Sequence, residues 1–507
     1  MIERLDRYSA LTVRRAHASS ADMANNPENM TSAQRDAVSR AKIAIYGFGS
    51  FPIVCWHLFK FARERGIKID NCVILTTPHH RDLVRSFADD ADVLNVFEKL
   101  PRKPGSGDIS ELTSYHGNFA EDLAAQKFYR PSQSGQWLFY RGLDYYRLYR
   151  RFLQDHKATH LLAPWPETAE GKILFAVAAE LGIRVVSPND LRNLSGSFFS
   201  TSPYETPPAY AATTPELLDA ADQFVRRFRE TGGTAALAPV KPDDPTLLDP
   251  FRSSLPARIA GMVRQTLQRP DLFQPINIRI GLMNSFPPIR DAYWSFNTGR
   301  NAKQADITSL DDLPKKFLFY PLHSTPEASI NTPAPYYVDQ FRAIDAIRMA
   351  MPSDHLLLVK EHWSFVMARP SGFLKQVRRL PGVLVADYRL KAFDLMPRAA
   401  ATVTITGTAG FESFLLGYPA IALGRGLVAN CLGGMTREGE IAQHLQDRIG
   451  NPVSQETVVR RIAELLSVRY PFYFSSTGYK GEPVLRRGNI IAMLDALLDH
   501  LARENPQ

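Results

Sequence analysis

Short apolar runs recur along the chain, each closed by a turn and followed by apolar positions at helical spacing. Residues 42–47 read as a buried strand, and the stretch after them has helical spacing up to Arg65, with Gly66 as a stop. Strands are expected at 72–76, 93–96, 159–163 and 184–187, with helices over 143–155 and 169–181. The second half is more regular. Strands at 316–320, 356–360, 383–386, 401–405 and 420–423 alternate with helices at 337–350, 371–379, 391–398 and 410–416, and helices at 434–446 and 455–467 follow. Apolar strands alternating with helices predict mostly parallel sheets covered on both faces.

Length divides this pattern in two. At 507 residues, with 45% hydrophobic and 10% aromatic residues, the chain can form two cores. The expected fold is α/β, with two Rossmann-like doubly wound domains facing a central cleft. Residues 1–40 are polar and read as a tail or a loosely docked helix. Residues 41–310 form the first domain, with irregular insertions: a Pro-, Thr-, Ala- and Asp-rich stretch from 203 to 250 holding a helix at 214–230, and a basic helix at 255–268. Residues 311–480 form the second domain, and 481–507 a C-terminal helix. No repeat of fixed period is present.

Three scattered cysteines (Cys55, Cys72, Cys431) make neither a disulfide framework nor a metal knuckle, which fits a reducing cytoplasm. No apolar run approaches the ~20 residues that span a bilayer. The net charge of +8 points to anionic partners: a nucleotide sugar, an acidic glycan, or the inner face of the plasma membrane as a peripheral contact. Nucleic acid is not expected, because no nucleic-acid motif is present.

Chemistry gathers after three strands of the second half, at what would be one edge of the sheet. The loop after 401–405 reads Thr406-Gly407-Thr408-Ala409-Gly410-Phe411-Glu412. Small residues at a strand-to-helix turn let backbone approach an anion, and the helix start offers N–H groups to a phosphate. A turn that merely packs helix on sheet would look the same. Glu412 is placed to accept from ribose hydroxyls. Lys360 and His362, after 356–360, are the expected phosphate partners. Glu327, after 316–320, is the candidate catalytic carboxylate, as base or nucleophile. His323 is placed to bind donor or orient Glu327, and Ser329 lies in the same loop. No Asp-x-Asp or zinc-ligand spacing occurs, so neither metal nor cofactor is expected. A Gly-x-Ser-x-Gly elbow is also missing. In the first half, Gly47-Phe-Gly49 is a fragment of a dinucleotide fingerprint and reads as a tight turn. The arginines and tyrosines of 141–152, at helical spacing, suit either an acidic glycan or membrane interface, or a helix with its aromatic side in the core.

Together these loops resemble the capsule polysaccharide biosynthesis proteins, which include the bacterial retaining β-Kdo transferases. The likeness covers roughly residues 160–425. The strand and loop 317–329 are similar to the family's first motif, Val359-Lys-Glu-His362 to its Lys-x-His-Pro motif, and 404–412 with Gly417-Tyr-Pro419 to its glycine loop and Gly-x-Pro. The segment 193–207 resembles its first-domain segment more loosely. The resemblance implies a GT-B transferase using a CMP-Kdo-like donor without metal and a glycan or glycolipid acceptor. It places Glu327 at the catalytic Asp, His362 at the phosphate-contacting His, and 406–412 at the nucleotide loop. Glu327 is one methylene longer than the family's Asp, Trp363 stands at the motif's proline, and His323 where glutamine is frequent. Other readings are a UDP-sugar transferase, a nucleotide-sugar 2-epimerase, or a non-catalytic capsule assembly or export protein.

Overall fold

The computed structural model describes residues 30–76, 80–129, 133–232, 303–324, 328–361, 372–474 and 483–503, with isolated positions between 260 and 296. Glu327, His362 and nine of the fourteen residues of the helix expected at 255–268 lie outside the described residues.

The first sheet holds β1 (Lys42–Gly47), β2 (Asp70–Leu75), β3 (Val93–Asn95), β4 (His160–Leu162), β5 (Arg184–Asp190) and β6 (Ser197–Ser200) in the order β3-β2-β1-β4-β5-β6. All neighbours are parallel except β5 and β6. The second sheet holds β7 (Phe317–Pro321), β8 (Leu356–Lys360), β9 (Val383–Ala386), β10 (Ala401–Thr404) and β11 (Ala420–Ala422), all parallel, in the order β11-β10-β7-β8-β9. Each sheet is doubly wound, and strand order reverses between β1 and β4 in the first and between β7 and β10 in the second. In such sheets ligands bind at that reversal, beyond the strand carboxyl ends.

The longer helices are α1 (Ser32–Arg40), α2 (Phe51–Glu64), α3 (Phe119–Tyr129), α4 (Gly135–Asp155), α5 (Ala169–Glu180), α6 (Pro215–Glu230), α7 (Gln340–Ala350), α8 (Thr408–Leu415), α9 (Ile441–Arg448), α10 (Gln455–Ser467) and α11 (Arg487–Arg503). Their starts follow from local chemistry. Thr31 and Gln34 form a capping box on α1, Ser134 caps α4, and Thr214 caps α6 ahead of Pro215. The apolar side of α4 (Leu143, Tyr145, Tyr149, Phe152) packs with β1, β2 and α5 in one core. Its arginines pair within the chain: Arg147 with Glu111 and Arg150 with Glu180.

Some expectations change. Of the two alternatives for residues 1–40, the described part holds a docked helix: α1 buries Ala37 and Val38 against Ile490, Met493 and Leu497 of α11. The helix expected at 434–446 begins only at Ile441. Gly433 and Gly434 adopt φ values of 91° and 125°, which end the short helix Leu427–Cys431 and break the run. The strand β6 was not expected; it pairs antiparallel with β5, and Ser197 also bridges to Tyr470. The chain thus crosses between domains more than once. Ala221, Val225 and Phe228 of α6 share a core with Val458, Ile462 and Leu465 of α10, while α11 returns to the first domain. Among the described residues no helix is long and apolar enough to cross a membrane.

Candidate functional site

The carboxyl edges of the two sheets meet. Thr332, beyond β7, donates its hydroxyl to the carbonyl of Pro166, beyond β4. The Lys172 ammonium, from α5, reaches the carbonyl of Thr332 at 3.2 Å.

On the second-sheet side, the reversal between β7 and β10 brings His323 against the turn after β10. The Thr406 N–H donates to His323 Nε2 at 3.2 Å, and the Gly407 N–H donates to Thr404 Oγ1 at 2.9 Å. Accepting through Nε2 requires that this nitrogen carry no proton, so the ring is held as its Nδ1–H tautomer. Gln340, the first residue of α7, fixes the backbone of His323 from both sides: its Oε1 accepts from the His323 N–H at 2.8 Å and its Nε2 donates to the carbonyl at 2.9 Å. The Thr406 hydroxyl donates to the Ser329 carbonyl, and Ser329 Oγ is buried with no partner among the described residues.

This turn requires glycine for space. A Cβ on Gly407 would stand 2.9 Å from both His323 Nε2 and Thr404 Oγ1, and one on Gly410 would stand 2.7 Å from Thr404 Cγ2. Two N–H groups of the turn are therefore spent inside the protein. Gly407 gives no side-chain cap, so the N–H groups of Thr408 and Ala409, both half-buried, head α8. The Phe411 side chain faces the other way, fully buried with Phe414, Leu427 and Val428. Glu412 turns toward the first domain and hydrogen-bonds the side chain of Asn193; burial pushes its carboxyl above the usual range, and the Asn193 bond opposes the rise.

Lys360 ends β8, with β7 between it and the turn after β10. Its ammonium donates to the Glu361 carbonyl at 3.2 Å, and burial lowers its pKa against the pull of Glu361 and Asp387. Of the residues singled out from sequence, the fold joins His323, Ser329, Thr406 and Gly407 in one hydrogen-bonded unit, leaves Thr408 and Ala409 half-buried at the start of α8, and holds Lys360 on the strand beyond β7.

The first-sheet side was not anticipated. Here the groups are charged. Lys172 is 1% exposed and pairs with Asp122 at 2.8 Å, and Asp122 also accepts from Tyr115 Oη at 2.6 Å. Glu170 is buried in the first turn of α5, and half-buried Glu167 lies just before it. Fully buried Tyr46, at the end of β1, has its pKa raised first by burial and then by Glu170. Across the domains, Arg425, beyond β11, pairs with Glu121 and lies 4.9 Å over the Tyr204 ring. One sequence signal for this side existed: Glu170 and Lys172 stand directly before the apolar run 173–179 of α5. A lysine there needs a buried anion. Among the described residues, no group of three or more His, Cys, Asp or Glu side chains is placed to hold a metal ion.

No protein-family profile matches the chain, and no curated protein matches it by sequence. Solved structures similar to it include KpsC of Thermosulfurimonas dismutans, a β-Kdo 2,7 transferase. That match has 14% identity over 68% of this chain and 96% of that chain, with a TM-score of 0.29. The UDP-GlcNAc 2-epimerase of Methanocaldococcus jannaschii is 11% identical over 91% of this chain and 99% of that chain, with a TM-score of 0.21. The UDP-GlcNAc 2-epimerase of Neisseria meningitidis bound to UDP-GlcNAc is 12% identical over 91% of this chain and 100% of that chain, with a TM-score of 0.24. Similarity this low has no bearing on substrate.

Proposed function

We propose that the chain is a glycosyltransferase-like enzyme that binds a nucleotide sugar at the carboxyl edge of the second sheet, with the phosphate at the head of α8. The observation that carries this reading is the His323–Thr406–Gly407 unit at the strand-order reversal. It fixes a glycine turn with no room for a side chain, directly before the uncapped, half-buried start of α8 at Thr408 and Ala409. A neutral, hydrogen-bonded turn of this kind attracts an anion without the desolvation cost of a buried ammonium.

The finer assignment rests on the sequence motifs. Their resemblance to capsule polysaccharide biosynthesis proteins favours a CMP-Kdo-like donor and a glycan or glycolipid acceptor, with Glu327 as catalytic carboxylate and His362 on the phosphate. A second reading, a nucleotide-sugar 2-epimerase, draws on one observation: Glu167 and Glu170 put carboxylates on the first domain's edge, and an epimerase needs acid and base groups around its sugar. Incubation with CMP-Kdo and with UDP-sugars, following nucleotide release for the wild type and Glu327→Gln, separates these. The proposal expects CMP release that Glu327→Gln abolishes. UDP release without CMP release removes the Kdo assignment, and inversion at C2 with no net release replaces the transferase by the epimerase. Failure to bind any nucleotide overturns both.

A further inference from the structure

Arg425 joins the second sheet to the first domain through charge. It follows β11 by way of Gly424, where a Cβ would stand 2.6 Å from Thr406 Cγ2 and 2.9 Å from Ala334 Cβ. Its backbone therefore runs directly beside the Thr406 turn. The guanidinium crosses to Glu121 of α3, donating from Nη1 to Oε1 and from Nη2 to Oε2, the latter at 3.3 Å. Beneath it lies the Tyr204 ring, 4.9 Å from the guanidinium carbon. The pair is not sealed from water: the Arg425 side chain is 37% exposed and that of Glu121 is 25% exposed.

A guanidinium fork on an aromatic plate holds a carboxylate in one orientation. This position already holds a carboxylate, supplied by the chain itself. Glu121 is not needed to dock α3, because the next residue, Asp122, anchors that helix through Lys172 and Tyr115. An incoming carboxylate can therefore replace Glu121 while α3 stays in place.

We infer that Arg425 and Tyr204 form a carboxylate-binding subsite between the domains, capped by Glu121 when empty and opened when the carboxylate of an acidic sugar displaces it. The sugar arrives either on a nucleotide or as part of the acceptor. Only the first of these rests on the nucleotide-binding reading above. A neutral sugar offers Arg425 nothing and leaves the cap in place.

The test is calorimetric titration of the full chain, wild type, Arg425→Met and Glu121→Gln, with CMP, CMP-N-acetylneuraminate and glucuronate. Removing the competing cap in Glu121→Gln is expected to tighten binding of the acidic-sugar probe several-fold, a gain that a misfolded variant cannot show. Arg425→Met is expected to weaken the same probe by roughly tenfold to a hundredfold, the scale of a lost charge-assisted hydrogen-bonded pair. CMP affinity is expected to change by less than about twofold in both, since CMP brings no carboxylate. Dependence seen with CMP-N-acetylneuraminate supports a carboxylate carried on the donor, and dependence seen with glucuronate supports one on the acceptor. Equal loss of CMP in Arg425→Met gives the arginine to the phosphate and overturns the inference. Unchanged affinities in both variants reduce the pair to a structural ion pair and overturn it too. Arg425-dependent glucuronate binding by a chain that binds no CMP keeps the subsite and removes the nucleotide reading.

Discussion

The two sheet edges that meet between the domains have the same topology and opposite chemistry. Each lies where strand order reverses. At the second sheet, the described groups of the turn are uncharged: an imidazole accepting a backbone N–H, a threonine hydroxyl accepting the next, and glycines packed against both. At the first sheet the reversal is lined by Lys172, Asp122, Glu170 and two phenols, most of them buried. The difference teaches how each edge can act. Under the proposed function the neutral edge takes the anion, because its remaining helix-start N–H groups carry partial positive charge. The charged edge is held by mutual neutralisation. It suits proton exchange with a hydroxyl better than phosphate binding.

The comparison breaks most sharply at Lys172. Asp122→Ala leaves a nearly inaccessible ammonium without its carboxylate, with only the Thr332 carbonyl to accept from it, and is expected to destabilise the protein by about 3–5 kcal/mol in urea unfolding. A loss below about 1 kcal/mol would mean that the lysine reaches water and that the first edge is not a closed charge network. Gly407→Val probes the neutral edge. The added carbons meet His323 and Thr404, so a cost of about 1–3 kcal/mol is expected together with loss of nucleotide binding. Retained binding would move the nucleotide elsewhere. His323→Ala leaves the buried Thr406 N–H without its acceptor, for about 1–2 kcal/mol, and should weaken nucleotide binding by loosening the turn. An unchanged denaturation midpoint would show that the imidazole does not support that turn.

The smallest expected effect concerns pH, at the one carboxylate of the glycine segment. Burial raises the Glu412 pKa in the folded state. The folded chain then holds a proton that the unfolded chain has released, so this group's contribution is full below its unfolded pKa and is lost as pH rises through its folded value. Glu412→Gln should flatten the stability profile over that interval. An identical slope in wild type and variant would assign it to other buried carboxyls, such as Glu205 and Asp190, whose pKa values burial also raises.

Much of the architecture was legible in the one-dimensional pattern. Apolar runs at strand spacing located ten of the eleven strands, because each is buried on both faces by helices and tolerates little polarity. The strand β6 escaped notice because Ser197-Phe-Phe-Ser200 lacks such a run and is defined by its partners, Asp190 to Ser187 on one side and Tyr470 on the other. The helical spacing from 434 onward yields to Gly433 and Gly434, whose positive φ values end the helix Leu427–Cys431 and delay the next one to Ile441.

By itself, then, the sequence determined the alternation of strands and helices, the presence of two doubly wound domains, and the glycine turn at 406–410, since local spacing and the absence of side chains act over a few residues. Only the tertiary structure decided that His323 accepts from that turn across 83 positions of chain. It also decided that Asp122 neutralises Lys172, and that Glu121 fills the fork of Arg425 from 304 positions away. Hydrogen bonds and ion pairs carry no periodic signature. Their partners are set by which loops the two sheets bring to a common edge.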